Sequence, residues 1–172
     1  HDEIYVKAGH LLGRSIAKSG LRLIYGGGTK GIMGAVSEGA LRAGGKVTGI
    51  IPRFLINKEA TETALNRLDE LLITENMHER KHRMFEKSDA FVALPGGIGT
   101  VEEIVEIMTW AQLGHHRKPI VFGNVDGFWN PMLALLDHMS SAGFIHTAHK
   151  VKPLVVDDPE AIVAAIMVAG SS

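Results

Sequence analysis

The sequence predicts an α/β fold in which a doubly wound parallel sheet is covered by helices on both faces. Short apolar runs alternate along the chain with segments of helical periodicity, and the runs are continuously apolar rather than alternating. Strands that are buried on both faces of a parallel sheet have this character. The chain also has 20 glycines among 172 residues, and several of them cluster where apolar runs end. Such clusters indicate backbone turns with a specific purpose.

Six segments are predicted to be strands, and helices are predicted between them. The strands are residues 21–25, 46–51, 71–74, 90–94, 119–122 and 154–156. The helices are residues 32–43, 77–87, 101–113, 131–141 and a last one from Pro159. Residues 101–113 have apolar side chains at helical spacing. Because no linker or repeat interrupts this order, we expect one domain over residues 1–172, with ligands at the carboxyl ends of the strands.

Composition excludes several classes of function. The net charge is -1, from 18 basic and 19 acidic side chains, so a duplex-binding surface and a polybasic membrane anchor are not expected. With no cysteine, the chain has no disulfide, thiolate metal site or cysteine nucleophile. No apolar run approaches the ~20 residues that span a bilayer, and the first three residues do not resemble a signal peptide. We therefore expect a cytoplasmic protein.

The first glycine cluster runs from Gly26 to Gly31, after a strand and before a helix. Glycines there let an anion approach main-chain N–H groups and the positive end of the helix dipole. The spacing satisfies G-x-G-x-x-G, but the next strand ends at Arg53 with no carboxylate for a ribose, which argues against NAD. A Walker loop is excluded because Ile32, not lysine, follows Gly31. A tight strand-to-helix turn without a ligand is the alternative.

The second cluster is more specific. Pro95-Gly96-Gly97-Ile98-Gly99-Thr100 follows an apolar strand and places three glycines and a hydroxyl at a helix start, which predicts a phosphate nest. The segment from Thr100 to Glu103 also fits a capping box, with Thr100 as N-cap and Glu103 at the third helical position. The two interpretations are compatible, because capping does not account for the three glycines.

A basic helix is predicted at residues 77–83, with the sequence Met-His-Glu-Arg-Lys-His-Arg. Arginine donors suit phosphate or carboxylate, although a solvated charged face has the same composition. Residues 78–82 also match the zinc-protease pattern H-E-x-x-H. We disfavour zinc, since two cations lie within the motif and no third ligand is marked. No metal is expected.

Together, Gly26-Gly27-Gly28, the Met77–Lys81 segment and the Pro95–Glu103 segment resemble the Lonely Guy family over nearly the whole chain. These proteins are cytokinin-activating phosphoribohydrolases, often mislabelled as lysine decarboxylases. The resemblance implies a Rossmann-like fold, usually dimeric, and hydrolysis of the N-glycosidic bond of an N6-modified AMP-like nucleotide to free base and ribose 5-phosphate. It implies no metal or redox cofactor.

The resemblance also assigns roles by motif position. Arg80 and Glu103 are expected to be the catalytic pair, with Glu103 stabilising the oxocarbenium ion or orienting water. Contacts to the nucleotide are expected from Gly27, Gly28, Glu59, Lys81, Gly96, Gly97, Gly99, Thr100, Glu102 and Thr109. Glu59 or Glu62 fits a glutamate that family members have before the basic segment. Family members begin with a further strand ending in a Gly-Ser turn, so either the given sequence lacks a leading segment or the sheet lacks a strand.

Two other functions remain as alternatives. A carrier of nucleotide or molybdenum cofactor fits because relatives of similar fold also use Pro-Gly-Gly-x-Gly-Thr loops. A lysine decarboxylase would need a Schiff-base lysine for pyridoxal phosphate, and no lysine is marked for that role. The preferred base modification is left open.

Overall fold

The computed structural model describes residues 3–145 and 152–170. The chain divides into two compact units, residues 1–88 and 89–172, and each is described by itself.

The first unit contains a three-stranded parallel sheet in the order β1-β2-β3. Its elements in chain order are α1 (Glu3–Lys18), β1 (Arg22–Tyr25), α2 (Gly31–Arg42), β2 (Lys46–Pro52), α3 (Glu62–Leu65), β3 (Glu70–Thr74) and α4 (Met77–Lys87). The middle strand β2 is buried from Val47 onward. Helix α4 begins cleanly because the Asn76 side chain accepts a hydrogen bond from the Glu79 N–H at 2.8 Å.

Helices α1 and α2 pack closely against each other, and glycines make this possible. A Cβ on Gly13 would overlap the Val36 carbonyl oxygen, and a Cβ on Gly39 would overlap the His10 carbonyl oxygen. The backbones of the two helices therefore approach at positions where no other residue fits. This pair lies on β1 and, through α2, also on β2, whereas α4 contacts all three strands.

A buried hydroxyl pair at the end of β1 makes stability depend on pH. Burial raises the pKa of Tyr25 above its ordinary 10.0, and its hydroxyl lies 3.2 Å from the Ser37 hydroxyl. The unfolded chain loses this proton near pH 10, while the folded chain keeps it to higher pH, so the unfolding free energy falls as pH rises above about 10. Tyr25→Phe removes the titrating hydroxyl, so the variant should not lose stability in this way. The unfolding free energy of the wild type minus that of the variant should therefore become smaller from pH 9 to pH 11 in urea titrations. A gap that stays constant over that range would contradict the assignment.

The second unit contains another three-stranded parallel sheet, in the order β4-β5-β6. Its elements are β4 (Phe91–Ala93), α5 (Ile98–Gln112), β5 (Ile120–Gly123), α6 (Asn130–Ser141), β6 (Leu154–Val156) and α7 (Ile162–Gly170). Strand β5 lies in the middle, with Val121 and Phe122 fully buried, and α7 covers β5 and β6 through Ile162. Strand β4 ends before Pro95, which has no N–H for a ladder.

The predicted fold class is confirmed. Strands of parallel sheets alternate along the chain with helices that cover both sides, in a Rossmann-like arrangement. Every predicted strand is present with bounds within one residue, and the helix predicted at residues 77–87 is found unchanged. The single domain stays a prediction. Within residues 3–145 and 152–170, no helix is both long and apolar enough to cross a membrane.

Candidate active site

Arg80 lies at the carboxyl ends of β1 and β2, in the first unit. It is only 8% exposed, although it is a charged residue on a basic helix. Its Nε donates to the Ile50 carbonyl at 3.1 Å and its Nη2 to the Gly26 carbonyl at 2.6 Å. These carbonyls belong to β2 and to the turn after β1, so the guanidinium joins the ends of two neighbouring strands. Charge-assisted bonds to two carbonyls fix its position.

Gly26 provides the space that Arg80 occupies. A Cβ at this position would overlap the Arg80 Nη2 atom. The sequence pattern attributed this glycine to a ligand, but its missing side chain accommodates an arginine of the same unit. Gly27 has a φ of +82°, a conformation that favours glycine. Beside Gly28, the nearest atom to an added Cβ is Met33 Cβ at 4.0 Å, so of these three glycines Gly28 is the one that faces open space.

A compact loop after β2 brings Glu59 to the same place. Its Oε2 lies 3.9 Å from Arg80 Nη2, and its carbonyl accepts the Thr29 N–H at 3.2 Å. The loop is closed by Asn57, which has a φ of +71° and donates its N–H to the Ala60 carbonyl at 2.7 Å. Glu62 instead lies in the first turn of α3. Of the two candidate glutamates, Glu59 is therefore the one near Arg80.

The remaining polar residues of α4 have local roles. The Glu79 carboxylate accepts the Glu75 N–H at 2.9 Å and so completes the cap of the helix. His82 pairs with Glu86 one turn later. Within the H-E-x-x-H pattern, Glu79 therefore caps the helix and His82 contacts Glu86 at the surface. No cluster of three potential metal ligands occurs in the described parts of the chain. Lys81, next to Arg80, is half-buried.

A second group of predicted site residues lies at the start of α5, in the second unit. The helix begins at Ile98 with Gly97 as N-cap, no side chain caps it, and its first turn has no acidic residue. Such an end presents main-chain N–H groups and a partial positive charge. Nothing lies within 4 Å of a Cβ added to Gly97 or Gly99, whereas a Cβ on Gly96 would overlap the Thr100 hydroxyl. Two of these glycines therefore leave the amides open.

The predicted capping box is wrong. Thr100 is the third helical residue rather than the N-cap, and Glu103 lies in the second turn. The helix starts three residues earlier than predicted because Gly97 serves as N-cap without a side chain, leaving the pattern from Thr100 to Glu103 inside the helix. Glu103 consequently follows Gly99 and Thr100 by four and three residues, on the same helix face.

Two other residues assigned to the nucleotide lie elsewhere on α5. Glu102 is exposed, and because it directly precedes Glu103 in the helix, it lies on a different helix face from Glu103. Thr109 donates its hydroxyl to the Val105 carbonyl at 2.8 Å, and it lies about 14 Å along the helix from Thr100 at 1.5 Å per residue. A phosphate bound at the amides of Gly99 and Thr100 would not reach Thr109; a whole nucleotide is long enough to do so.

Sequence reasoning missed the main-chain partners of Arg80. The Gly26 and Ile50 carbonyls carry no side-chain signal, so the burial of the guanidinium could not be read from the pattern. Asn57 offered a weak signal, because asparagine is among the residues that tolerate a positive φ.

Comparisons with known proteins identify the family. A family model described as "Possible lysine decarboxylase" matches residues 33–166. A cytokinin riboside 5'-monophosphate phosphoribohydrolase from Rhodococcoides fascians is 44% identical over 155 residues, covering 90% of this chain and 77% of that protein. The chain belongs to the Lonely Guy family.

Plant members of the Lonely Guy family are similar. A cytokinin riboside 5'-monophosphate phosphoribohydrolase from Oryza sativa subsp. japonica is 43% identical over 157 residues, and one from Arabidopsis thaliana is 45% identical over 148 residues. They are covered to 63% and 64% of their length, while 91% and 86% of this chain is matched. The chain thus spans slightly less than two thirds of these plant relatives.

Solved structures agree with the Lonely Guy fold. A molybdenum cofactor binding protein from Rippkaea orientalis matches with a TM-score of 0.71 at 21% identity, covering 98% of this chain and 89% of that one. The molybdenum cofactor carrier protein from Chlamydomonas reinhardtii matches with a TM-score of 0.70 at 22% identity, covering 100% and 91%. At these identities the likeness establishes the fold alone.

Proposed function

We propose that this protein hydrolyses the N-glycosidic bond of an AMP-like nucleotide, with an N6-modified adenine as the preferred base, and releases the base and ribose 5-phosphate. The observation that carries the proposal is the open amino end of α5, where uncapped amides lie next to two glycines with free space. The 44% identity to a phosphoribohydrolase over most of the chain supports the reaction.

The phosphate binds at the start of α5. Main-chain N–H groups there are directed outward, and the helix dipole favours an anion. Gly97 and Gly99 allow phosphate oxygens to approach the backbone, and Thr100 supplies a hydroxyl donor. Gly96 takes part indirectly, because its missing side chain leaves room for that hydroxyl. Phosphate binding remote from the reacting bond then holds the sugar in place.

Glu103 stabilises the positive charge that develops on the ribose as the bond breaks. Water adds to the anomeric carbon and loses one proton, the electrons of the C–N bond go to the base nitrogen, and the base takes up one proton. A carboxylate near the anomeric carbon stabilises the oxocarbenium ion and orients the water. Glu103 shares its helix face with Gly99 and Thr100, which suits a carboxylate one sugar away from the phosphate. The family resemblance also assigns Arg80 to the nucleotide, where it would position the substrate or assist departure of the base, and it assigns Gly27, Gly28 and Lys81 to nucleotide contacts.

Incubation with AMP and with isopentenyladenosine monophosphate tests the function. The proposal expects free base and ribose 5-phosphate in equal amounts from at least one of them, faster from the modified nucleotide. The matching nucleosides without phosphate should react far more slowly, because they lack the anchor at α5. Absence of free base from both nucleotides would overturn the proposal.

A molybdenum cofactor carrier is the second candidate. The solved carriers share the fold at 21–22% identity, whereas the phosphoribohydrolases are 43–45% identical. Arg80 together with Glu103 favours hydrolysis. A protein that bound nucleotide without releasing ribose 5-phosphate would support the carrier.

Glu59 supports Arg80 in this proposal. We expect Glu59→Ala to lower kcat/KM about tenfold while the melting temperature changes little, since half-exposed ion pairs contribute under ~1 kcal/mol to stability. The matched control is Glu62→Ala, a change of the same kind three residues away that should keep the activity of the wild type. Steady-state release of free base measures both. Equal activities of the two variants would remove Glu59 from the site.

The protein acts as a homodimer in the cytoplasm under this proposal. The family resemblance supports the dimer. The lack of cysteine is compatible with a reducing compartment such as the cytoplasm. Light scattering of the purified protein tests the dimer, with a mass near 37 kDa expected from two chains of 18.6 kDa each. A mass of one chain would contradict it.

A further inference from the structure

Trp129 is almost fully buried in the second unit, and its indole is bound to the strand that leads to the phosphate loop. The side chain is 2% exposed, and its Nε1 donates to the Ala93 carbonyl at 3.0 Å. Ala93 is the last residue of β4, two residues before Pro95. The bond therefore holds the strand at the point where it becomes the loop that starts α5.

The surroundings of Trp129 fix the indole in place. The Asn124 Oδ1 accepts the Trp129 main-chain N–H at 2.7 Å, and the Asn124 Nδ2 donates to Asn130 Oδ1 at 2.9 Å. The main-chain N–H of Asn124 donates to the Val156 carbonyl on β6 at 2.9 Å. Asn124 is itself only 6% exposed. One buried asparagine thus ties the start of α6 and the Trp129 backbone to the end of the edge strand β6.

Packing restrains the same point from other sides. The Trp129 ring meets Phe122 edge-on at 5.2 Å and Phe128 at 5.0 Å between centroids. Leu94, which follows Ala93, lies over Gly123, where an added Cβ would come within 2.7 Å of its Cδ2. Both residues that precede Pro95 are therefore held, one by a hydrogen bond and one by packing on β5.

We infer that Trp129 is a positioning residue for phosphate binding: through the Ala93 carbonyl it sets where the Gly96–Gly99 loop leaves β4, and so where the α5 amides point. This inference rests on the proposed role of the α5 start. Trp129 touches no phosphate itself in this arrangement. Its effect is on the geometry of the amides, and oriented dipoles lose effect steeply when they are misplaced.

The test replaces Trp129 with Phe, which keeps an aromatic ring and removes the N–H donor. We expect the dissociation constant of ribose 5-phosphate to rise about tenfold, and amide hydrogen exchange in residues 96–100 to become several times faster. The matched control is Phe128→Leu, which removes the other ring at the same place and keeps the indole bond. It should change the dissociation constant by less than twofold. All binding is measured about 20 °C below the melting temperature of each variant, so that the folded protein is compared.

Asn124→Ala provides a second route, because it releases the Trp129 backbone without touching the indole, and it should produce the same two changes. If Trp129→Phe folds but leaves both the affinity and the exchange rates unchanged, Trp129 is a core residue and the inference is overturned. Faster exchange in residues 96–100 of the variant, in a protein whose wild type releases no free base from either nucleotide, would support the positioning of this loop by Trp129 and refute the proposed function.

Discussion

Replacing Glu103 with Gln is expected to lower kcat about a thousandfold and to leave the affinity for the nucleotide nearly unchanged. The amide keeps the size and the helix position of the carboxylate but has no negative charge. It therefore cannot stabilise the oxocarbenium ion, and loss of one preorganised electrostatic group costs ~10²–10³ in rate. The phosphate contacts proposed for Gly97, Gly99 and Thr100 do not involve this side chain. Single-turnover release of free base measures the rate, and calorimetric titration with the nucleotide measures the affinity.

The matched control for this experiment is Glu106→Gln. It makes the same charge change on the same helix, one turn farther from the phosphate site, and should reduce kcat less than threefold. Turnover of Glu103→Gln at the rate of the control would remove Glu103 from the catalytic pair. A loss of affinity equal to the loss of rate would instead give Glu103 a binding role.

Replacing Gly26 with Ala is expected to displace the Arg80 guanidinium from the two carbonyls that hold it. Two charge-assisted hydrogen bonds are then lost in a buried place, which costs on the order of 3 kcal/mol. For a chain of this size the melting temperature should fall by roughly 6–12 °C. Under the proposed role of Arg80 in nucleotide binding, kcat/KM should fall at least a hundredfold in the protein that still folds. Calorimetry and steady-state kinetics below the melting temperature measure the two effects.

A double-mutant cycle separates this explanation from ordinary backbone strain. In an Arg80→Ala background the added methyl group meets no guanidinium, so Gly26→Ala should then cost little further stability or activity. Gly28→Ala is the matched glycine variant, since a Cβ there meets only Met33 at 4.0 Å, and its melting temperature should equal that of the wild type. Additive effects of Gly26→Ala and Arg80→Ala would show that the two residues act separately.

The strands and most helices could be predicted because their signals are local. Continuous apolar runs such as residues 46–51 specify buried parallel strands, and the polar segment at residues 77–87 has an asparagine cap before it. The short helix α3 escaped prediction because its four residues carry too little periodicity. The start of α5 was misplaced because Gly97, an N-cap without a side chain, competes with a threonine that fits the usual capping pattern.

The sequence motifs named residues for the candidate site but could not give the environments of those residues. Arg80 was expected from the motif, but its burial depends on the Gly26 and Ile50 carbonyls, which lie 54 and 30 residues away in sequence. The choice of Glu59 over Glu62 depends on the turn at Asn57. Trp129 gave no signal at all, because one buried tryptophan in an apolar segment is typical of any core. The environments of Arg80 and Trp129 depend on contacts of long sequence separation, whereas that of Glu59 depends on a local turn.

Because the start of α5 has no side-chain cap, an anion that binds there is expected to stabilise the folded protein against heat. A ligand that binds only the native state stabilises it by mass action, by about 2.7 kcal/mol at a concentration 100 times its dissociation constant. Since Gly97 has no side chain to cap the helix, a phosphate ester bound as proposed would supply what a serine or aspartate supplies at other helices. We therefore expect ribose 5-phosphate to raise the melting temperature of the protein and to prolong its lifetime on heating.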